Sequence, residues 1–267
     1  MTRPILEAVN VSKIYTPSHH LFGGSGETIT ALEGVTCALK PGERLGLVGE
    51  SGSGKTTLAK LLAGLTVPSS GTVRVHGEPR AAGRGRRLAW ARAAQFVFQD
   101  PQGSLHPRLT VEEALSEPLL IHRLARGEAA RRARVRMLLD MVELPAVYAG
   151  RLPRELSGGE RQRVGIARAL ALEPEALICD EPIASLDVLV GARILELLRR
   201  LSEAQRMAIL FVSHDLRAVA WLCETVVVLQ RGRQVDAGPT RTLLASPRHP
   251  YTALLVRSAE LDLDVVL

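Results

Sequence analysis

The nonapeptide Gly49-Glu50-Ser51-Gly52-Ser53-Gly54-Lys55-Thr56-Thr57 constrains this chain more than any other stretch. An apolar run, Arg44-Leu45-Gly46-Leu47-Val48, precedes it, and a helix-like stretch, Leu58–Leu65, follows. Strand, glycine loop and helix form the setting in which G-x-x-x-x-G-K-[ST] is a phosphate-binding loop rather than a plain Gly/Ser turn. Glycines let the backbone curl until successive N–H groups point at one anion, and the helix that opens there adds its positive dipole end. Lys55 is placed to reach β- and γ-phosphates, and the Thr56 hydroxyl to ligate Mg²⁺. Composition supports Lys55 separately. Only Lys13, Lys40, Lys55 and Lys60 are lysines among 34 basic residues. A lysine kept against that bias points to a compact ammonium where a planar guanidinium would not fit.

The rest of the composition limits the classes open to the chain. Its 267 residues, 46% hydrophobic, suit one large or two small domains. A net charge of +6 and a pI near 9.7 invite a nucleic-acid reading. The arginines are scattered, however, and their densest groups (Arg84, Arg86, Arg87, Arg92; Arg123 to Arg136) lie between motifs. Aromatics are 3%, too few for stacking platforms. Solvated arginine faces are the reading, and no nucleic-acid partner is expected. Cys37, Cys179 and Cys223 are isolated and odd in number, so neither a disulfide frame nor a metal site is indicated, and a reducing compartment fits. Met1-Thr2-Arg3-Pro4 leads into a strand pattern, not a signal segment. Apolar runs such as Ala208–Val212 are far too short to span a bilayer. A soluble protein that docks on a membrane complex is expected.

Along the chain, Ile5–Tyr15 reads as a strand, Thr16–Thr30 as a polar loop, and Ala31–Leu39 as a second strand. The His19-His20 pair in that loop reads as solvated rather than metal-binding. Thr72–His76 has strand alternation, Arg80–Arg92 mixes loop and helix, and Ala94–Phe98 is a short strand ending at Gln99-Asp100-Pro101. Thr110–Leu144 turns helical and reads as an inserted helical subdomain. Val164–Leu172 and Val188–Arg206 are further helices. Ala176–Cys179 and Ala208–Val212 are buried-type strands. Thr225–Leu229 with Gln234–Ala237 resembles an antiparallel hairpin. Alternating strands and helices argue for a parallel α/β core, and the terminal β elements for an added antiparallel piece. No internal repeat is present.

Phosphate chemistry also needs a metal-side carboxylate and a group that activates water. Leu177-Ile178-Cys179-Asp180-Glu181 offers both at the C-terminal end of a strand, where open α/β sheets place ligands. Asp180 would orient Mg²⁺, and Glu181 would act as general base. His214, at the end of Ala208–Val212, could touch the γ-phosphate. Gln99 could ligate Mg²⁺ or water.

Taken in order, these segments resemble the ATP-binding-cassette ATPases, the nucleotide-binding subunits of ABC transporters, over nearly the whole chain. Gly49–Thr57 looks like the Walker A loop, Gln99 the Q-loop, Leu156–Arg163 (LSGGERQR) the family signature, Ala176–Glu181 Walker B, Ser185-Leu186-Asp187 the D-loop and His214 the H-loop. Tyr15 stands where the family places an adenine-stacking aromatic. The resemblance implies an α/β P-loop NTPase cassette with a RecA-like parallel core, an antiparallel β subdomain and an inserted α-helical subdomain. The divisions expected are roughly 1–98 with 164–238 for the core, 99–163 for the helices and 239–267 for a C-terminal tail. It implies ATP and Mg²⁺ as cofactors and catalysis by Glu181, His214 and Gln99. Metal contacts fall to Thr56, Gln99 and Asp180. Ser157, Gly158 and Gly159 stand before a helix N-terminus, a second anion site. In the family two cassettes pair head to tail, so that Ser157, Gly158, Gly159 and Asp187 would serve the ATP of the opposite chain. One departure is Pro182-Ile183-Ala184-Ser185-Leu186-Asp187, where the family usually shows Thr-Ser-Ala or similar before Leu-Asp.

The stretch Ser246–Leu255 (SPRHPYTALL) is similar to the tail of the oligopeptide, dipeptide and nickel importer ATPases, and the long Thr16–Thr30 loop is similar too. Length and the His/Gly-rich loop lean toward the nickel ATPase. The resemblance implies a peripheral subunit at the cytoplasmic face of the inner membrane. Its expected partners are a second, different ATPase chain, two transmembrane permease subunits and a substrate-binding protein. The competing readings are a soluble cassette acting in translation or DNA repair, an exporter cassette and a non-enzymatic regulator. A single motif set, the His249-Pro250-Tyr251 tail, and the presence of Glu181 and His214 argue against them in turn.

Overall fold

The structure is a computed structural model that describes residues 3–16, 28–79, 84–99, 103 and 105–259. The His19-His20 pair with most of the Thr16–Thr30 loop, the Asp100-Pro101 step and the chain beyond residue 259 lie outside the described residues.

Two sheets form the frame. The larger has the order β10-β9-β3-β8-β7-β6, built from β3 (Arg44–Val48), β6 (Ala94–Val97), β7 (Ala176–Asp180), β8 (Ala208–Val212), β9 (Thr225–Gln230) and β10 (Arg233–Pro239). Its five strands from β9 to β6 are parallel; only β10, at the edge, is antiparallel. β7 and β8 are buried at every position. A parallel sheet is covered on both faces, so its strands read as continuous apolar runs. The two faces separate by alternation. Leu177, Cys179, Ile209 and Phe211 enter one core with the helices α5 (Gly158–Leu170), α6 (Val188–Gln205) and α7 (Leu216–Leu222). Ile178, Leu210 and Val212 enter the other, with α1 (Lys55–Leu62) and the second sheet.

That second sheet is antiparallel, in the order β2-β1-β4-β5, from β1 (Leu6–Tyr15), β2 (Ile29–Leu39), β4 (Ser70–Val75) and β5 (Glu78–Pro79). The antiparallel layer thus comes from the N-terminal strands. The hairpin expected at Thr225–Ala237 exists, but its first strand is a core strand, paired parallel to β3 from Leu45↔Thr225 to Val48↔Val228. Burial decides this: Val226, Val227, Val228 and Leu229 are all buried, and a strand without a wet face belongs inside a covered sheet.

Helix α2 (Arg84–Ala93) leads into β6, and between β6 and α5 the chain forms α3 (Val111–Ile121) and α4 (Glu128–Met141). Thr110 opens α3 with a reciprocal capping box to Glu113, which satisfies two orphan N–H groups. Leu115, Leu119, Leu138 and Leu139 are fully buried and join these helices to the core under α5 and α6. The helical stretch read across Thr110–Leu144 is therefore two helices, broken before Gly127, whose φ is +84°. After β10 come two short helices, α8 (Thr240–Ala245) and α9 (Pro250–Ser258).

Candidate functional site

Register places the site. Leu47 of β3 aligns with Val212 of β8, which aligns with Asp180 of β7; Val97 of β6 aligns with Cys179. Four loops therefore leave the sheet at one C-terminal edge: Gly49–Gly54, Gln99, Glu181 onward, and Ser213-His214-Asp215. This is where ligands enter open α/β sheets.

The Gly49–Gly54 loop wraps its own lysine. Lys55 is buried, and its Nζ donates to Gly49 O at 2.7 Å and Glu50 O at 2.8 Å. Two glycines are sterically required. A Cβ on Gly49 would sit 2.2 Å from Leu229 O, and one on Gly54, whose φ is +104°, would sit 2.5 Å from Ala31 O. Ser51, Gly52 and Thr56 are exposed along the crest, while Glu50 flanks them on the surface. Ser53 is buried with its Oγ unpartnered. A buried orphan hydroxyl in this glycine-rich loop suits a polar ligand seated there.

Asp180 and Thr56 meet behind the loop: Thr56 Oγ1 donates to Asp180 Oδ1 at 3.1 Å. Burial pushes the Asp180 carboxyl above the usual range; Glu181 adds to this, and the Thr56 hydrogen bond and Lys60 and Lys55 oppose it. Burial also pulls the Lys55 ammonium down, against the pull of Glu181, Asp180 and Glu50. Both signs of charge are thus held in a poorly solvated place, one that phosphate oxygens and a hard divalent cation would compensate. A hydroxyl and a carboxylate side by side are oxygen donors of the kind Mg²⁺ takes.

Glu181 has φ +48°, a left-handed conformation uncommon for a non-glycine residue. Its N–H donates to Val212 O at 2.9 Å, and its carbonyl accepts from Ala184 N. Holding such a residue costs on the order of 1–3 kcal/mol, and such strain clusters at functional sites. The conformation sets Glu181 Oε2 3.0 Å from His214 Nδ1. His214 is 62% exposed and Glu181 18%, so the imidazole is open to solvent while the carboxylate is largely covered.

The structure thus brings Lys55, Thr56, Asp180, Glu181 and His214 together, with Gln99 exposed at the same edge. It sets the other expected residues apart. Tyr15 ends β1 in the antiparallel sheet, 42% exposed, with Lys13 Nζ 5.0 Å from its ring centre. Ser157 caps α5. Its Oγ accepts from Glu160 N, while Glu160 Oε2 accepts from Ser157 N at 2.7 Å. The two glycines therefore lie inside the helix rather than before it, and the end already carries a carboxylate. The Ser157 hydroxyl proton and the N–H groups of Gly158 and Gly159 are what it has to offer an anion. Gly159 packs on Val190 and Gly158 on Leu186, while Asp187 Oδ1 caps α6 by accepting from Val190 N at 2.9 Å. Signature and D-loop segments form one packed unit. Among the described residues no hydrogen bond ties that unit to Gly49–Thr57.

One contact at the loop had no signal in the spacing: Tyr251 Oη accepts from Glu50 N at 2.8 Å, across 201 residues.

The sequence and fold are similar to those of known proteins. The family described as ABC transporter matches residues 32–184. A putative oligopeptide transport ATP-binding protein of Bacillus subtilis, YkfD, is 42% identical over 240 residues, covering 90% of this chain and 73% of its own. The oligopeptide transport ATP-binding protein OppF of Streptococcus mutans is 38% identical over 266 residues, covering 99% and 84%. Among solved structures, a dimeric ATP-binding cassette in a post-hydrolysis state, bound to ADP and Pi, superposes with a TM-score of 0.78 at 32% identity. It covers 88% of this chain and 98% of that one. The chain therefore belongs to the ABC transporter family and is one of its ATP-binding cassettes.

Proposed function

We propose that this chain is the ATP-hydrolysing subunit of a peptide importer. The observation that carries the catalytic part is the pairing of two contacts at one sheet edge: Thr56 with Asp180, and Glu181 with His214. In this reading the N–H groups of Gly49–Thr57 and the Lys55 ammonium bind the β- and γ-phosphates. Thr56, Asp180 and Gln99 hold Mg²⁺, which neutralises charge on the phosphates when bound. Glu181 polarises the attacking water, and His214 orients the Glu181 carboxylate and reaches toward the γ-phosphate. Tyr15 stacks on adenine.

Ser157, Gly158, Gly159 and Asp187 serve the ATP of a second cassette. Their packing into a unit of their own supports this, since among the described residues no hydrogen bond ties the α5 N-terminus to the chain's own loop. The partner is read as a different ATPase chain. The helices of 99–163 are read as the subdomain that receives the permease subunits. A groove of about 270 Å³ lined by Phe96, Phe98, Pro118, Ile121 and His122 offers them an apolar seat. Attachment is read as peripheral, at the cytoplasmic face, from the similarity to oligopeptide transport ATP-binding proteins; among the described residues no helix is long and apolar enough to cross a membrane. A separate binding protein would supply cargo. The relatives above are named for oligopeptide transport, and peptides are the cargo preferred here; nickel rests only on length and the early loop.

Two experiments test this. Purified from its own membranes, the tagged chain should bring two permease subunits; ribosomes in their place would favour a soluble translation role. In the living host, Glu181→Gln should abolish uptake of a labelled peptide and leave nickel uptake unchanged. The reverse pattern would overturn the cargo assignment.

A further inference from the structure

The contact between Tyr251 and the phosphate loop bears on the chemistry of Lys55. The Gly49–Glu50 peptide unit is held at both of its polar atoms. Its carbonyl oxygen accepts from Lys55 Nζ at 2.7 Å, and its N–H donates to Tyr251 Oη at 2.8 Å. Two opposed bonds fix the rotation of a peptide plane that either alone would leave free. The lysine that reaches the phosphates is therefore anchored on a peptide whose orientation is set by α9.

Helix α9 is itself tied at both ends. Tyr251 is buried, and its N–H donates to His249 Nδ1 at 3.2 Å, which caps the helix. His249 N donates to the buried Asp236 of β10 at 3.3 Å. At the far end the Arg217 guanidinium donates through Nε and Nη2 to Ala259 O, at 3.2 and 3.1 Å. Arg217 lies in the first turn of α7, which starts directly after Ser213-His214-Asp215, and Asp215 Oδ1 accepts from Arg217 N at 2.9 Å. The strap thus joins the loop that holds Lys55 to the foot of the helix behind His214.

We propose that Tyr251 is a positioning residue of the nucleotide site, its hydroxyl setting the Gly49–Glu50 peptide on which Lys55 is anchored. This rests on the ATP-site reading. Glu50 is exposed but the bond itself is part-buried, so water replaces the phenol incompletely and the unliganded fold loses about one net hydrogen bond. Water does not hold the peptide plane, so ligand affinity falls.

The test is Tyr251→Phe in the full chain, which removes one oxygen and keeps the ring. In a Glu181→Gln background, titration with Mg-ATP should show binding about 2- to 10-fold weaker than in the parent, the range one net hydrogen bond supplies. The melting midpoint without nucleotide should fall by no more than about 6 °C, the loss of one net hydrogen bond. Arg217→Gln, which cuts the other end of the strap, should weaken Mg-ATP binding in the same direction. Tyr251→Phe binding Mg-ATP as tightly as its parent overturns the proposal, as does a lowered midpoint with unchanged affinity. A parent chain that binds no Mg-ATP at all is a separate result and overturns the site reading itself.

Discussion

The substitution Gly159→Ala asks whether the signature helix is set by its contact with the D-loop helix. Gly159 lies in the first turn of α5, and an added Cβ would sit 2.4 Å from Val190 Cγ1. Carbon atoms rest at about 3.5–4.0 Å, so the methyl arrives more than about 1 Å too close. Val190 is β-branched and on a helix, so one χ1 rotamer dominates and the methyl has no easy escape. The helices must part or strain, at a cost of about 1–3 kcal/mol. Replacing glycine by alanine in a helix returns up to ~1 kcal/mol, less in the first turn. The net is a loss of about 1–2 kcal/mol, a fall of roughly 2–8 °C in melting midpoint for a chain of this size. The same geometry predicts a rescue. The added Cβ lies 3.7 Å from Val190 Cβ, an ordinary contact, so Val190→Ala removes the clash. Urea or thermal melts of the four proteins in the cycle should give a coupling of about 1–3 kcal/mol. Phosphate release by Gly159→Ala should fall and return in the double variant. Additivity within about 0.5 kcal/mol would refute the packing argument.

His214→Ala removes the 3.0 Å partner of Glu181 and should lower phosphate release about 10- to 100-fold with Mg-ATP binding little changed; an unaltered rate would separate His214 from the chemistry. Cys179 and Cys223 are buried thiols whose burial pushes ionisation up, so the reactive thiolate is scarce at neutral pH and grows only above the usual thiol range. Maleimide should leave both unlabelled in the native chain at pH 7.5 and label both in urea, read by peptide mass. Rapid native labelling at either would contradict the packing of β7 and of the segment after α7.

The site was legible to the extent that its chemistry is written in contiguous motifs. Gly49–Thr57 announced itself by spacing, and Asp180-Glu181 by two carboxylates ending an apolar run. What spacing could not provide was register. Only the alignment of Leu47, Val212 and Asp180 puts Glu181 beside His214, and no local pattern encodes that. The antiparallel layer shows the same limit. Thr225–Ala237 has hairpin grammar, but the partner of β9 is chosen by burial of both its faces against β3, a long-range effect. The α5 N-terminus began earlier than the apolar pattern because the Ser157–Glu160 capping box, not hydrophobic periodicity, sets it. Tyr251 left no local trace, since its partner lies 201 residues away.

The central claim is that Glu181 activates water at the site formed by Lys55, Thr56 and Asp180. Phosphate release from Mg-ATP by the chain, purified with the membrane subunits it assembles with, tests it most directly when wild type and Glu181→Gln are measured side by side with ATP affinity. The account predicts that Glu181→Gln binds ATP as wild type does and releases phosphate at least about 10²-fold more slowly. Release at the wild-type rate by Glu181→Gln would contradict it.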